Sequence, residues 1–158
     1  MRGTPLMLQI FAIYFAIPTL TGVNLDRMNA TILAFSINYA AYFAEIYRSG
    51  IQSIPRGQYE AAEVLGYTKA QTFMKIVLPQ VIKRILPAMG NEVITLVKDT
   101  SLAFVLGIME MFSAAKALAA SEVSMVPYAI AALIYWVFCL LIEFILNRVE
   151  KRLDYYHD

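Results

Sequence analysis

The sequence predicts an all-α membrane protein, and three observations carry that prediction. Val126 to Leu146 is an apolar run of twenty-one residues whose only charge is Glu143; as a helix it can cross a bilayer core of about 30 Å. Apolar residues make up 59% of the 158-residue chain, and mean hydropathy is +0.59, above the usual range for a soluble domain. Charged residues are only 16%, and they cluster rather than spread. The competing reading of the long run, a buried core helix of a soluble protein, is disfavoured by its length and hydropathy.

Four hydrophobic blocks follow one another within a single domain, residues 1–158. The first runs from about Pro5 to Leu20, with Pro5 suited to a first helical turn and Pro18 near the end. Both prolines interrupt the apolar stretch and no small-residue cleavage site follows, which is not the shape of a signal peptide. A polar connection, Thr21 to Arg27, leads to the second block, roughly Met28 to Tyr47. The third begins near Ile82, passes Leu96, is interrupted at Lys98-Asp99-Thr100-Ser101 and resumes from Leu102 to Phe112. The fourth is Val126 to Leu146, followed by a charged tail.

Between the second and third blocks lie twenty residues of mixed polarity, Glu60 to Pro79, reading EAAEVLGYTKAQTFMKIVLP. Placing this loop on the cytoplasmic side puts Arg2, Arg48, Arg56, Lys69, Lys75, Lys83, Arg84, Arg148, Lys151 and Arg152 with it, ten of the thirteen basic residues. Arg27 and Lys116 fall on the other side and Lys98 within the membrane region. The positive-inside rule favours this orientation, with the C-terminus cytoplasmic.

The loop itself reads as two short helices. Glu60 sits near a helix N-terminus, where the macrodipole favours a carboxylate. Ala61 and Ala62 are small enough to let that helix lie deep in a partner's groove. Gly66 permits a turn. Thr68 to Leu78 then carries Phe73, Ile76 and Val77 at helical spacing, and Pro79, lacking an amide donor, is expected to end that helix. An amphipathic helix-turn-helix merely lying on the bilayer is the alternative.

Glu60-Ala61-Ala62, Gly66 after three intervening residues, and Ile76-Val77-Leu78-Pro79 after nine more resemble the "EAA" coupling loop of bacterial ABC importer permeases. The flanks resemble the polar amino-acid branch of that family: Tyr42 to Ile51, Ile54-Pro55-Arg56-Gly57-Gln58, Leu86-Pro87, Asn91-Glu92 and Lys98-Asp99-Thr100-Ser101-Leu102. The resemblance implies a type I ABC-importer-like transmembrane helix bundle with a cytoplasmic coupling helix, the loop spanning about residues 55–79. It covers nearly all of this chain but the later part of a typical member. Arg2-Gly3-Thr4-Pro5-Leu6 resembles a segment that in those permeases follows a first helix, so about four of five spans are expected. A bundle short of one helix exposes packing surface to lipid. A truncated gene, a fragment or a different start site would each explain it.

In the resembling family the loop enters a cleft of a cytoplasmic ATPase subunit and transmits its closure to the membrane helices. Carried over, Glu60, Ala61, Ala62 and Gly66 form the ATPase-docking site. ATP and Mg would reside on that partner and no cofactor on this chain, which contains no glycine-rich phosphate loop. The other implied partners are an extracytoplasmic amino-acid-binding protein, a second permease copy or paralogue, and the lipid bilayer of the bacterial inner membrane.

Ionisable groups at membrane depth cost roughly 2.5–3.5 kcal/mol on insertion scales unless paired or hydrated. Glu45 and Arg48, three apart on a helix, can pair with one another. Glu92, beside Asn91, follows Pro87 and Gly90, which can distort the third span and free carbonyls. Lys98 and Asp99 are adjacent, project differently around a helix, and either line a polar cavity or sit where the helix breaks near the outer surface. A passage for a zwitterion needs such a mixture of charges; ion pairing between helices or subunits is the alternative. Asn38, Tyr39 and Tyr42 on the second span are weaker pathway candidates, since tyrosines are common in packing.

A net charge of +1 with no basic face argues against nucleic acid. Cys139 is alone within the apolar run, and the one histidine, His157, lies in the polar tail, so neither a metal cluster nor a nucleophile–base pair is expected. An ion-coupled carrier or channel using Glu92, Lys98 and Asp99 is the alternative function, and a non-functional remnant a further one.

Overall fold

The computed structural model describes residues 3–153. Arg2 and the tail bearing His157 lie outside the described residues. Among those described the chain is helical, with no strand.

The four expected blocks correspond to helices α1 (Leu6–Thr21), α2 (Arg27–Gln52), α5 (Leu78–Asp99) and α7 (Val126–Leu153). Pro5 caps α1 without entering it, and Pro18 sits one turn from its end, where the left-handed Gly22 closes the helix by donating to the Pro18 carbonyl at 2.9 Å. Asp26 starts α2 by accepting from the amides of Met28 and Asn29. α2 ends five residues beyond the expected Tyr47, at Gln52. By length and composition, Val126–Arg152 is long and apolar enough to cross a membrane, and the pair Lys69–Leu106 and Met111–Glu122, bent by 59°, is a second candidate counted as one span. α1 is shorter at sixteen residues, and α2 interleaves polar groups such as Asn29, Asn38 and Glu45 with its apolar ones.

α1 packs along α2, α2 along α5, α5 along α7, and α6 (Met111–Glu122) along α7. One core joins Leu6 and Ile10 of α1 to Ala30, Ala34 and Tyr39 of α2 and to Leu106. Small residues allow these close crossings. At Gly50 the α2 backbone lies against Ile85 of α5, and a Cβ there would overlap the isoleucine's Cγ2. At Gly90 an added Cβ would come within 3.1 Å of Leu146 on α7. Pro87 and Gly90 do not break the third span: α5 runs through both, and Gly90 serves helix packing against Leu146.

Pro79 likewise does not end a helix. Between α4 (Lys69–Thr72) and α5 the chain makes a π-helical turn, Phe73–Val77, and Pro79 falls in the first turn of α5. The widened turn, in which the Leu78 amide donates to the Phe73 carbonyl, shifts the bonding pattern ahead of a residue with no donor, and a proline in a first turn removes an amide that has no intrahelical partner. Helix α6 was not foreseen. Leu102 to Phe112 reads as continuous apolar sequence, but the chain there passes through a 3₁₀ segment, Thr100–Leu106, turns at left-handed Gly107, and restarts at Glu110. Glu110 and Ser113 form a reciprocal cap, the reverse in residue order of the usual Ser/Thr-to-Glu signature.

Candidate functional site

Two sites emerge, joined by α5. The first is the unit formed by α3 (Arg56–Val64) and α4. α3 ends in a Schellman arrangement: Gly66 at φ +77° donates to Glu63 at 2.9 Å and Tyr67 donates to Ala62 at 3.0 Å. One residue later Thr68 opens α4 with a capping box, the Gln71 amide donating to its Oγ1 at 3.3 Å and the Gln71 Oε1 accepting from the Thr68 amide at 2.9 Å. Both ends of a four-residue link are thereby fixed, which holds α3 at a set angle to α4. Gly66 has the turning role the sequence predicted.

The predicted docking residues divide. Glu60 and Ala61 are exposed, whereas Ala62 is 1% exposed and belongs to the face of α3 that packs on α4 and the π turn. Ala62 is thus not free to enter a partner's groove: its small side chain serves the intrachain contact. The outward surface instead gains Val64 at 88% and Leu65 at 72% exposure, with Met74 in the π turn also exposed. Sequence reasoning passed over these three. Their apolar character outside any core spacing is the signal that could have found them. Val77, assigned inward by spacing, is fully buried, while Phe73 is partly exposed.

The second site is a cavity of about 410 Å³ between α2 and α5, lined by Tyr42, Glu45, Ser49, Ser53, Arg84 and Glu92 among others. That volume falls in the range of about 300–1,000 Å³ usual for small-molecule pockets. Glu45 is engaged by Arg48 at 2.7 Å, as the spacing predicted. Of the pathway candidates, Tyr42 and Glu92 meet here. Asp99 lies further along α5, at the break into the 3₁₀ segment, and accepts a hydrogen bond from the hydroxyl of buried Tyr39 at 2.8 Å. The Tyr39 and Tyr42 rings are 6.3 Å apart, so an aromatic contact links the Asp99 pairing to the cavity wall. Asn38 is buried on α2 and lines neither cavity described here. Asn91 points away from its neighbour Glu92, into a small pocket of about 110 Å³ with Glu143, Asn147 and Glu150 on the α5–α7 seam. Lys98 is exposed.

Arg84 entered the sequence reading only as one of the basic residues, yet it lines the cavity and donates from Nη1 to the Ser53 carbonyl at 2.5 Å. Nothing local in the sequence marks it, because its partner is thirty-one residues away. The cavity therefore presents carboxylates on facing helices, Glu45 on α2 and Glu92 on α5, able to meet a cationic group, while the Arg84 guanidinium at its edge is engaged by the Ser53 carbonyl.

A family model described as "Binding-protein-dependent transport system inner membrane component" matches residues 1–155. The chain is 40% identical over 157 residues to the L-cystine transport system permease protein TcyB of Bacillus subtilis, covering 98% of this chain and 67% of that one. It is 42% identical over 153 residues to the arginine transport system permease protein ArtQ of the same organism, covering 96% and 70%. A crystal structure of an amino acid ABC transporter with histidines superposes with a TM-score of 0.86 at 39% identity, covering 96% of this chain and 71% of that one. The MetNI methionine ABC transporter, at 18% identity and a TM-score of 0.79, shares the fold. Helix bundle, loop and family match agree, and the chain belongs to the family of inner-membrane permease components of binding-protein-dependent transport systems.

Proposed function

We propose that this chain is the membrane-spanning permease subunit of an ATP-driven importer that carries a polar amino acid of the glutamine, glutamate, histidine or arginine class across the bacterial cytoplasmic membrane. The observation that carries the reading is the doubly capped α3–α4 unit, a rigid projection presenting Glu60, Ala61, Val64 and Leu65. An apolar exposed surface rimmed by a carboxylate is suited to a protein groove bearing a basic group. Residues 1–158 act as one permease domain, with the C-terminus and the α3–α4 unit on the cytoplasmic side, where the ten basic residues fall.

ATP and Mg bind on a separate ATPase subunit that receives the loop. Substrate arrives from an extracytoplasmic binding protein, and the pathway is completed by a second copy or a paralogue. Within this chain Tyr42 and Glu92 receive the substrate at the cavity, Glu92 facing its ammonium or side-chain cation. Asp99, held by Tyr39, shapes the passage at the α5 break. Lys98, beside that break, supplies a positive charge for the substrate carboxylate, and Asn38 and Asn91 support the helices on either side. The relatives transport cystine and arginine by name, which supports an amino-acid cargo.

The test is co-purification with the ATPase subunit, comparing wild type with Glu60→Lys and Gly66→Pro. Charge reversal in the groove and loss of the left-handed turn are each expected to reduce recovery of the ATPase at least about tenfold. Equal recovery in both variants would remove the docking role.

A further inference from the structure

The connector between α2 and α3 is three residues long, and each of the three is held. Ser53 caps the C-terminus of α2, its amide donating to Ser49 at 2.9 Å and its hydroxyl to Gly50 at 2.7 Å. Its carbonyl, one of those a helix end leaves without an intrahelical partner, accepts from Arg84 of α5. Ile54 is buried in a cluster with Val77, Val81 and Ile85, all from the π turn and α5. Pro55 has its φ fixed by its ring and opens α3. One turn before Arg84, Gln80 lies 3.4 Å from Gln58 of α3. The α3–α4 unit is therefore tied to α5 at both ends: covalently through the π turn, and across space through Arg84 at the connector.

We infer that Arg84 is a positioning residue that clamps the α2–α3 connector to α5, so that displacement of the α3–α4 unit is delivered to α5 and α2 together and reaches the cavity around Glu92. The inference rests on the docking reading above and adds to it the strut through which docking acts. Three features favour this role. The guanidinium meets the negative end of the α2 dipole, where a cation belongs. Arg84 and Glu92 line the same cavity and lie eight residues apart on one helix, about 12 Å along its axis. Gly50 lets α2 touch α5 next to the clamp, at Ile85, so the two helices have no slack there. Because Arg84 is exposed, water compensates much of the bond when it is broken, and the clamp matters for position more than for folding.

The experiment uses the transporter assembled with its ATPase subunit and its external binding protein in proteoliposomes. Three quantities are read: ATPase recovered with the permease, ATP hydrolysed, and uptake of radiolabelled arginine, glutamine and cystine, each supplied alone. Arg84→Met keeps the aliphatic stem and removes every donor. It is expected to recover ATPase and hydrolyse ATP as wild type does, while uptake per ATP falls about fivefold. Arg84→Lys, which restores a cationic donor, is expected to recover most of the ratio. An unchanged ratio in Arg84→Met overturns the clamp. Should Arg84→Met fail to assemble, Arg84→Gln decides in its place by the same ratio. If Glu60→Lys recovers the ATPase in full, the docking reading falls and the clamp with it. If Glu60→Lys loses the ATPase and the Arg84 variants stay coupled, the clamp alone falls.

Discussion

The α3–α4 unit and the α2–α5 cavity are built in opposite ways. The bonds that set the turn between α3 and α4 join residues at most five apart: Gly66 to Glu63, Tyr67 to Ala62, Gln71 to Thr68. The cavity depends on Arg84 reaching Ser53, thirty-one residues away, and Tyr39 reaching Asp99, sixty away. A locally determined unit can move as a body without losing its shape. A cavity made of distant contacts changes shape when its helices move. That contrast is what a transporter needs, a stiff handle and a deformable chamber, and it is open to direct attack at three positions.

The largest effect is expected at Gly50→Ala. The new methyl would overlap Cγ2 of Ile85, a buried β-branched side chain with little rotamer freedom in a helix. The α2–α5 crossing must therefore widen, at a cost of about 1–3 kcal/mol. Thermal unfolding of the purified subunit in detergent should show a clear fall in apparent Tm. An unchanged Tm would mean that α2 and α5 are not in contact there, and the chamber would lose its tightest wall.

Tyr39→Phe comes next. The ring keeps its neighbours Phe35 and Phe43, so the substitution removes only the hydroxyl that Asp99 accepts from. Leaving a half-buried carboxylate without that donor is expected to cost about 1.5 kcal/mol. Hydrogen exchange should quicken around the α5 break at Thr100–Leu106 while the α3–α4 unit keeps its protection. Faster exchange in the loop instead would show that the two regions are not built independently.

The same contrast explains what was legible in the sequence. The helical class, the four blocks, the Gly66 turn and the Glu45–Arg48 pair follow from composition, period or short spacing, and all are present. Pro79 misled because a proline ends a helix only where its missing amide and its ring meet an ordinary α-turn, and the π turn at Phe73–Val77 replaces that turn. Ala62 misled because a helix has two faces, and only the folded chain shows which one its own α4 covers. Asn91 and Glu92 are adjacent in sequence, yet consecutive helical residues point about 100° apart, and the two side chains line different cavities. Arg84 was invisible as a site because a charge near a span's end is the commonest feature of a membrane protein.

Gly66→Ala is expected to have the smallest effect on the whole and the sharpest on the loop. No atom lies within 4 Å of where the new Cβ would sit, so nothing clashes and no core contact is lost. The cost is that of holding an L-residue at φ +77°, about 1–2 kcal/mol. The chain can relieve it by loosening the Schellman turn, and then the angle between α3 and α4 is no longer set. Apparent Tm should stay near wild type, because Gly66 is exposed and the helix cores do not depend on it. Amide exchange across residues 62–68 should rise severalfold, and recovery of the ATPase subunit should fall by less than it does for Gly66→Pro. A lowered Tm with unchanged exchange in that window would reverse the picture, making the loop part of the global fold and not a handle attached to it.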